Sequence, residues 1–135
     1  MRTQLSRETV AGSFVKEVEI ISGQNLLACN QCGKCGAGCP VAYALDVLPN
    51  AILRLAQLGL EDVLETQTIW VCAACQTCLS RCPKGVDVPR VMEALRTLAL
   101  QRGVPPPIDL TALPAALVAE LPQMAIIGGF RKFYR

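Results

Sequence analysis

A chain of 135 residues is long enough for one folded domain and too short for two ordinary ones. Eight cysteines, no histidine and only 4% aromatic residues exclude every mixed cysteine–histidine metal site and leave little with which to stack nucleic-acid bases. The formal charge of +2 counts each cysteine as a neutral thiol, so it is no argument for a nucleic-acid partner if the sulfurs are ionised on metal.

Taken in chain order, the opening MRTQLSRETV has no apolar core of a secretory signal. No stretch reaches the roughly 18 uncharged apolar residues of a membrane-crossing helix. Eight cysteines without an export signal point to a reducing compartment, and the expectation is a cytoplasmic protein. Val10, Phe14, Val18 and Ile21 recur near helical spacing across residues 6–22, with Gly23 as the stop; Val18-Glu19-Ile20 also reads as a short strand. Residues 29–40 begin as loop, because Gly33, Gly36 and Gly38 crowd together there. Pro49 suits a first helical turn, with Leu48, Ile52, Leu55 and Ala56 on one face, and Gly59 breaks that helix. Glu61 and Asp62 favour a second short helix to about Thr66. A longer helix follows Pro89, with Val91, Leu95, Leu98 and Ala99 on its inner face, ending near Gly103.

Two halves repeat. The cysteines form two copies of C-x2-C-x2-C-x3-C-P, from Cys29 to Pro40 and from Cys72 to Pro83. Each copy is followed by an aspartate and a proline helix start, Asp46-Val47-Leu48-Pro49 and Asp87-Val88-Pro89, and aspartate is a good N-cap. Residues 1–103 form the predicted domain. Residues 104–135 form a tail that starts stiff and extended at Pro105-Pro106-Pro107, continues through an apolar segment, and ends basic and aromatic.

A cubane cluster needs four soft thiolates converging on one small body. Two-residue spacings let one tight loop give three sulfurs, and in two-cluster proteins of this spacing the fourth comes from the other run. The expectation is two [4Fe–4S] clusters, one held by Cys29, Cys32, Cys35 and Cys82, the other by Cys72, Cys75, Cys78 and Cys39. Each oxidised site carries roughly −2, which turns the loaded protein mildly acidic. Pro40 and Pro83 turn the chain out of each loop, and Gly33, Gly36 and Gly38 let amides approach sulfur. Lys34, Arg81 and Lys84 offset cluster charge or are simply solvated, and Trp70 reads as core or cluster shield rather than relay. Competing readings are a disulfide framework, which an export signal would accompany, and two four-cysteine zinc sites, for which the third cysteine of each run is surplus.

The text Gly23-Gln24-Asn25-Leu26-Leu27-Ala28-Cys29-Asn30-Gln31-Cys32-Gly33-Lys34-Cys35, the 32 residues between Cys39 and Cys72, and Trp70-Val71-Cys72-Ala73-Ala74-Cys75 together resemble the C subunit of heterodisulfide reductase over about residues 14–102. The resemblance implies a mainly α fold, the α-helical ferredoxin, a globin-like helical domain with two [4Fe–4S] clusters, here with an extended C-terminal tail. It implies an electron-transfer subunit that relays between a flavin-containing A subunit and a catalytic B subunit. The latter handles disulfide or sulfur substrates, as in methanogens, flavin-based electron bifurcation and sulfur metabolism. The family's ligands carry over onto the eight cysteines one for one. Iron–sulfur subunits of succinate dehydrogenase and fumarate reductase add a [2Fe–2S] domain, for which no spare cysteines exist here. Those of glycolate oxidase and anaerobic glycerol-3-phosphate dehydrogenase add a long cysteine-rich region. The expectation is therefore a relay without substrate chemistry of its own, with a stand-alone ferredoxin as the alternative. The 104–135 tail is expected to dock on a partner; for its apolar 110–127 segment, packing on the domain body and lying on a membrane surface are the competing outcomes.

Overall fold

The computed structural model describes residues 5–10 and 12–134, and every regular element among them is helical. Helices α1 (Arg7–Val10) and α2 (Ser13–Ser22) cover the first predicted helix, which a break near Gly12 divides. The Val18-Glu19-Ile20 stretch is helical, and Gly23 closes α2 by donating its N–H to the Glu19 carbonyl at 2.8 Å. Helix α3 (Lys34–Ala37) lies inside the first cysteine run, and α4 (Pro49–Gln57) follows it. A 3-10 turn over Glu61–Glu65 leads to α5 (Thr68–Val71), which delivers the chain to the second run. Helix α6 (Thr77–Arg81) lies inside that run, and α7 (Val88–Gln101) is the longest helix described.

Helix α7 forms because its start and its inner face agree. The Asp87 carboxylate accepts the Arg90 N–H at 3.1 Å, and Pro89 sits in the first turn, where its missing donor costs nothing. Val91, Leu95, Leu98 and Ala99 form the buried stripe that the spacing predicts, and Val88 and Met92 extend it. Burial of each large aliphatic in it is worth about 1.5–3 kcal/mol. Around this stripe pack α2, α4, α5, α6 and the Glu61–Glu65 turn, so α7 is the axis of the domain. Phe14, Val15 and Val18 of α2 and Ile69 and Trp70 of α5 complete much of the core.

Two faces differ from the expected ones. Leu48 is 45% exposed, and α4 instead buries Ile52, Leu53 and Ala56. The cause is that Leu48 is the extended N-cap of α4 (ψ 151°), outside the helical period. Ile21 is likewise exposed, while α2 buries Phe14, Val15, Val18 and Ser22. Gly59 ends α4 as expected, for a reason beyond its φ of +70°: a Cβ there would lie 2.0 Å from the Thr9 carbonyl oxygen. Arg102, just past α7, pairs with Glu17 at 2.9 Å and with Glu61, and its guanidinium lies over the Phe14 ring.

The tail departs from a simple extended strap. Among its described residues, the proline-rich start is the longest stretch without regular structure. Beyond it come a 3-10 turn (Leu110–Ala112), α8 (Ala115–Glu120) and α9 (Gln123–Phe133). Phe133 returns to the domain and stacks on Trp70 with ring centroids 5.8 Å apart. Among the described residues no helix is long and apolar enough to cross a membrane.

Candidate metal centre

The two cysteine runs share a backbone that their residues conceal. In the first, Gln31 and Gly33 flank Cys32 with φ of 59° and 78°; in the second, Ala74 and Gln76 flank Cys75 with φ of 51° and 61°. Two left-handed residues around the middle cysteine curl each loop so that its sulfurs turn inward, and α3 or α6 then starts at once. Three of the four left-handed positions are not glycine. Such residues cost about 1–2 kcal/mol each, a cost the surrounding fold must offset.

Helices α3 and α6 pack against one another. Each carries the third cysteine of its run, Cys35 or Cys78, and ends just before the fourth, Cys39 or Cys82. The third and fourth cysteines are thus about a helical turn apart, roughly 6 Å of rise, and in packed helices that step carries the fourth sulfur toward the neighbouring loop. Gly38 faces Arg81 across this contact: a Cβ there would meet the Arg81 guanidinium at 2.7–2.8 Å, and that exposed, flexible side chain would have to shift.

Two cavities result. One, with about 330 Å³ of atom-free space, is lined by Cys29, Cys32, Cys35 and, from the other run, Cys82. The other, with about 400 Å³, is lined by Cys72, Cys75, Cys78 and, from the other run, Cys39. The repeated helix starts wall them: Pro49 and Pro89 face the second cavity, Asn50 faces the first, and Val88 faces both. A single zinc ion draws four thiolates to about 3.8 Å of one another around a point, given Zn–S bonds of about 2.3 Å. Here the four thiols of each set line one shared cavity, and two such sets of four soft donors suit two four-iron, four-sulfide bodies. Among the described residues no three or more His, Cys, Asp or Glu side chains gather into a single-ion site.

Polar side chains hold each loop in place. Gln57, buried in α4, donates to the Leu26 and Cys29 carbonyls at 2.7 and 3.0 Å and so fixes the approach to the first run. Asp46 serves the second. Rather than capping α4, as its place before Pro49 predicts, it accepts the Gln67 and Thr68 N–H groups and the Thr68 hydroxyl at 2.6–2.8 Å, bracing the start of α5. Desolvation alone would raise the Asp46 pKa; the bonds from Thr68, Gln67 and Val47 outweigh it and hold the carboxyl below its ordinary value. Gln24 ties the two halves by accepting the Asp87 N–H at 2.9 Å.

The thiol environments are unequal. Burial pushes Cys35 up, and burial with the neighbouring Cys72 pushes Cys78 up to about 11. Iron bound at these sulfurs would have to displace their protons, as metals do from thiols. The exposed Cys75 is held below the ordinary thiol value by hydrogen bonding to Thr77. The Gly36 N–H reaches the Cys35 sulfur, as expected of that glycine. Sulfur also meets Gln31 Nε2 at Cys29 (3.5 Å) and the Val86 N–H at Cys82 (3.3 Å).

Lys34 and Lys84 line the first cavity from exposed positions. Trp70 is core, 4% exposed. Sequence reasoning missed Arg96 and Lys132. Arg96 on α7 donates to the Ile69 carbonyl at 2.7 Å and hydrogen-bonds the Cys72 sulfur; Lys132 on α9 donates to the Cys72 carbonyl at 3.1 Å. No local signal marks Arg96, whereas the basic end of the tail was visible without its destination.

Residues 25–86 match the family described as 4Fe-4S dicluster domain. The chain is similar to the second iron–sulfur C subunit of the CoB–CoM heterodisulfide reductase of Methanocaldococcus jannaschii, with 36% identity over 71% of this chain and 56% of that protein. It is also similar to the iron–sulfur C subunit of the CoB–CoM heterodisulfide reductase of Methanopyrus kandleri (39% identity, 65% of this chain, 45% of that protein). The second C subunit of the H(2)/formate:CoB-CoM heterodisulfide,ferredoxin reductase of Methanococcus maripaludis shows 38% identity over 58% of this chain and 43% of that protein. The chain thus spans about half the length of the curated relatives it matches. With the dicluster domain matched over residues 25–86 and eight cysteines to serve it, the chain is a two-[4Fe–4S] iron–sulfur protein similar to the C subunits of heterodisulfide reductase.

Proposed function

We propose that this chain is an electron-transfer subunit of a heterodisulfide reductase-like complex, passing electrons between a flavin-containing A-like subunit and a catalytic B-like subunit. One cluster is held by Cys29, Cys32, Cys35 and Cys82, the other by Cys72, Cys75, Cys78 and Cys39. The observation that carries this reading is the pair of cysteine-lined cavities, each with three thiols from one run and one from the other, and with Val88 as a common wall. One side chain between the cavities is a short path for electrons. When bound, the clusters supply one-electron chemistry; the chain's residues hold them, exclude water on the α7 side and set their surroundings.

The names of the relatives support a role within a complex over a stand-alone ferredoxin. So does the tail, residues 104–135, which we assign to partner docking: Leu117, Met124, Ile127 and Phe130 stay exposed on it. Eight cysteines in cluster-ligand spacing favour a reducing, cytoplasmic setting. Anaerobic reconstitution tests the reading. It should give about eight irons and eight sulfides per chain, with visible charge-transfer absorption bleached by a one-electron reductant. Two zincs and a colourless protein would contradict it. Mixing the loaded chain with A-like and B-like proteins should then give a stable complex that reduces the clusters from the flavin side.

A further inference from the structure

The two cavities differ in how positive charge reaches them. Around Cys72 the structure gathers Arg96 from α7 and Lys132 from α9, and both are half-buried. They line a further cavity together with Cys72, Ala73, Ala74 and the exposed Arg131, and among the described residues Glu93 is the acidic side chain that lines it. Lys132 is held there by the stacking of the adjacent Phe133 on Trp70. The first cavity has Lys34 and Lys84, both exposed, and its sulfurs receive neutral donors, the Gln31 amide and the Val86 and Gly36 N–H groups.

We propose that Arg96 and Lys132 act as positioning residues that give the cluster of the second run the higher reduction potential of the two, making it the place where a carried electron rests. The inference rests on the ligand reading above, in which Cys72, Cys75, Cys78 and Cys39 hold that cluster. Reduction adds one electron, from a low-potential one-electron donor, to a site that is already negative, with no bond made or broken. Nearby positive charge favours the reduced form, and cluster potentials follow net charge, hydrogen bonds to sulfur and exposure. A half-buried cation acts through a lower effective dielectric than an exposed lysine, whose field water and salt screen. A charge-assisted hydrogen bond to sulfur is also stronger than a neutral one. Arg96 remains a cation at any ordinary pH.

The test is a redox titration of the full chain carrying both clusters, followed by electron paramagnetic resonance, with dithionite as reductant. The cluster of the second run is identified as the one whose signal changes in Cys75→Ser. In the unsubstituted protein that cluster should be reduced first. Lys132→Gln should shift its reduction equilibrium roughly tenfold toward the oxidised form, about 59 mV for one electron, while the other cluster moves less than twofold. Lys132→Arg should restore it. Arg96→Gln should move the same cluster in the same direction, and Arg96→Lys should move it less. Reduction of the first run's cluster first, equal movement of both clusters, or no movement in either glutamine variant overturns the proposal. Failure of the ligand reading shows separately, in the iron content of Cys39→Ala, because the potentials are read only on protein with its full eight irons.

Discussion

The loop from Cys29 to Cys35 and the loop from Cys72 to Cys78 turn left-handed at the same two points, before and after the middle cysteine, yet fill them with Gln31 and Gly33 in one and Ala74 and Gln76 in the other. Beyond the loops the halves are supported differently. A buried amide, Gln57, fastens the first run to α4; an exposed carboxylate, Asp46, fastens the second through α5. What the halves share is the path of the backbone around three sulfurs, and side chains that reach the loops were free to diverge. The comparison explains why two copies so unlike in text lead to two cavities so alike.

The largest asymmetry should come from the clamps. Gln57→Leu leaves the Cys29 carbonyl without its donor and weakens the support of Leu26, so we expect a loss of about 2 kcal/mol in urea unfolding. The first run should release its iron before the second. Asp46→Asn should reverse that order at a cost of about 1 kcal/mol, in keeping with a lost cap. Its pH dependence follows from the depressed carboxyl. The contribution of Asp46 is complete above the ordinary carboxyl value of 3.8 and is lost as pH falls through the lower folded value. The stability difference between wild type and Asp46→Asn should therefore hold from pH 7 to 5 and shrink only below 3.8. A difference that instead grew on acidification would refute the bonding assigned to Asp46.

Smaller effects test the shared loop shape. Gly33→Ala meets no atom within 4 Å, so its cost is the φ of +78° alone, about 1 kcal/mol in the same unfolding assay. Gln76→Gly relieves the equivalent strain but adds chain entropy to the unfolded state, for a net gain of about 0.5 kcal/mol. If both substitutions destabilised equally, the loops would not be equivalent.

Much of this was legible in the sequence because it depends on local rules. The cysteine spacing, the stops at Gly23 and Gly59, Pro49 and the Val91, Leu95, Leu98 and Ala99 face of α7 follow from turn chemistry and helical period. What was not legible depends on distant partners. Asp46 and Asp87 stand in the same local text, but only Asp87 caps its helix, because the amides of Gln67 and Thr68 draw Asp46 away. Leu48 fits the core by spacing, but its extended backbone takes it out of the helix. Arg96 and Lys132 lie 24 and 60 positions from Cys72, and no pattern in the chain joins them before it folds.

The exchange of fourth cysteines between the two halves is tested most directly by a reciprocal pair of variants, Cys39→Ala and Cys82→Ala, each reconstituted without oxygen and assayed for iron, sulfide and the two paramagnetic signals. Cys39→Ala should damage the cluster of the second run and spare that of the first, and Cys82→Ala should do the opposite. If each substitution instead damages the cluster of its own run, the helices α3 and α6 do not trade ligands and the account fails.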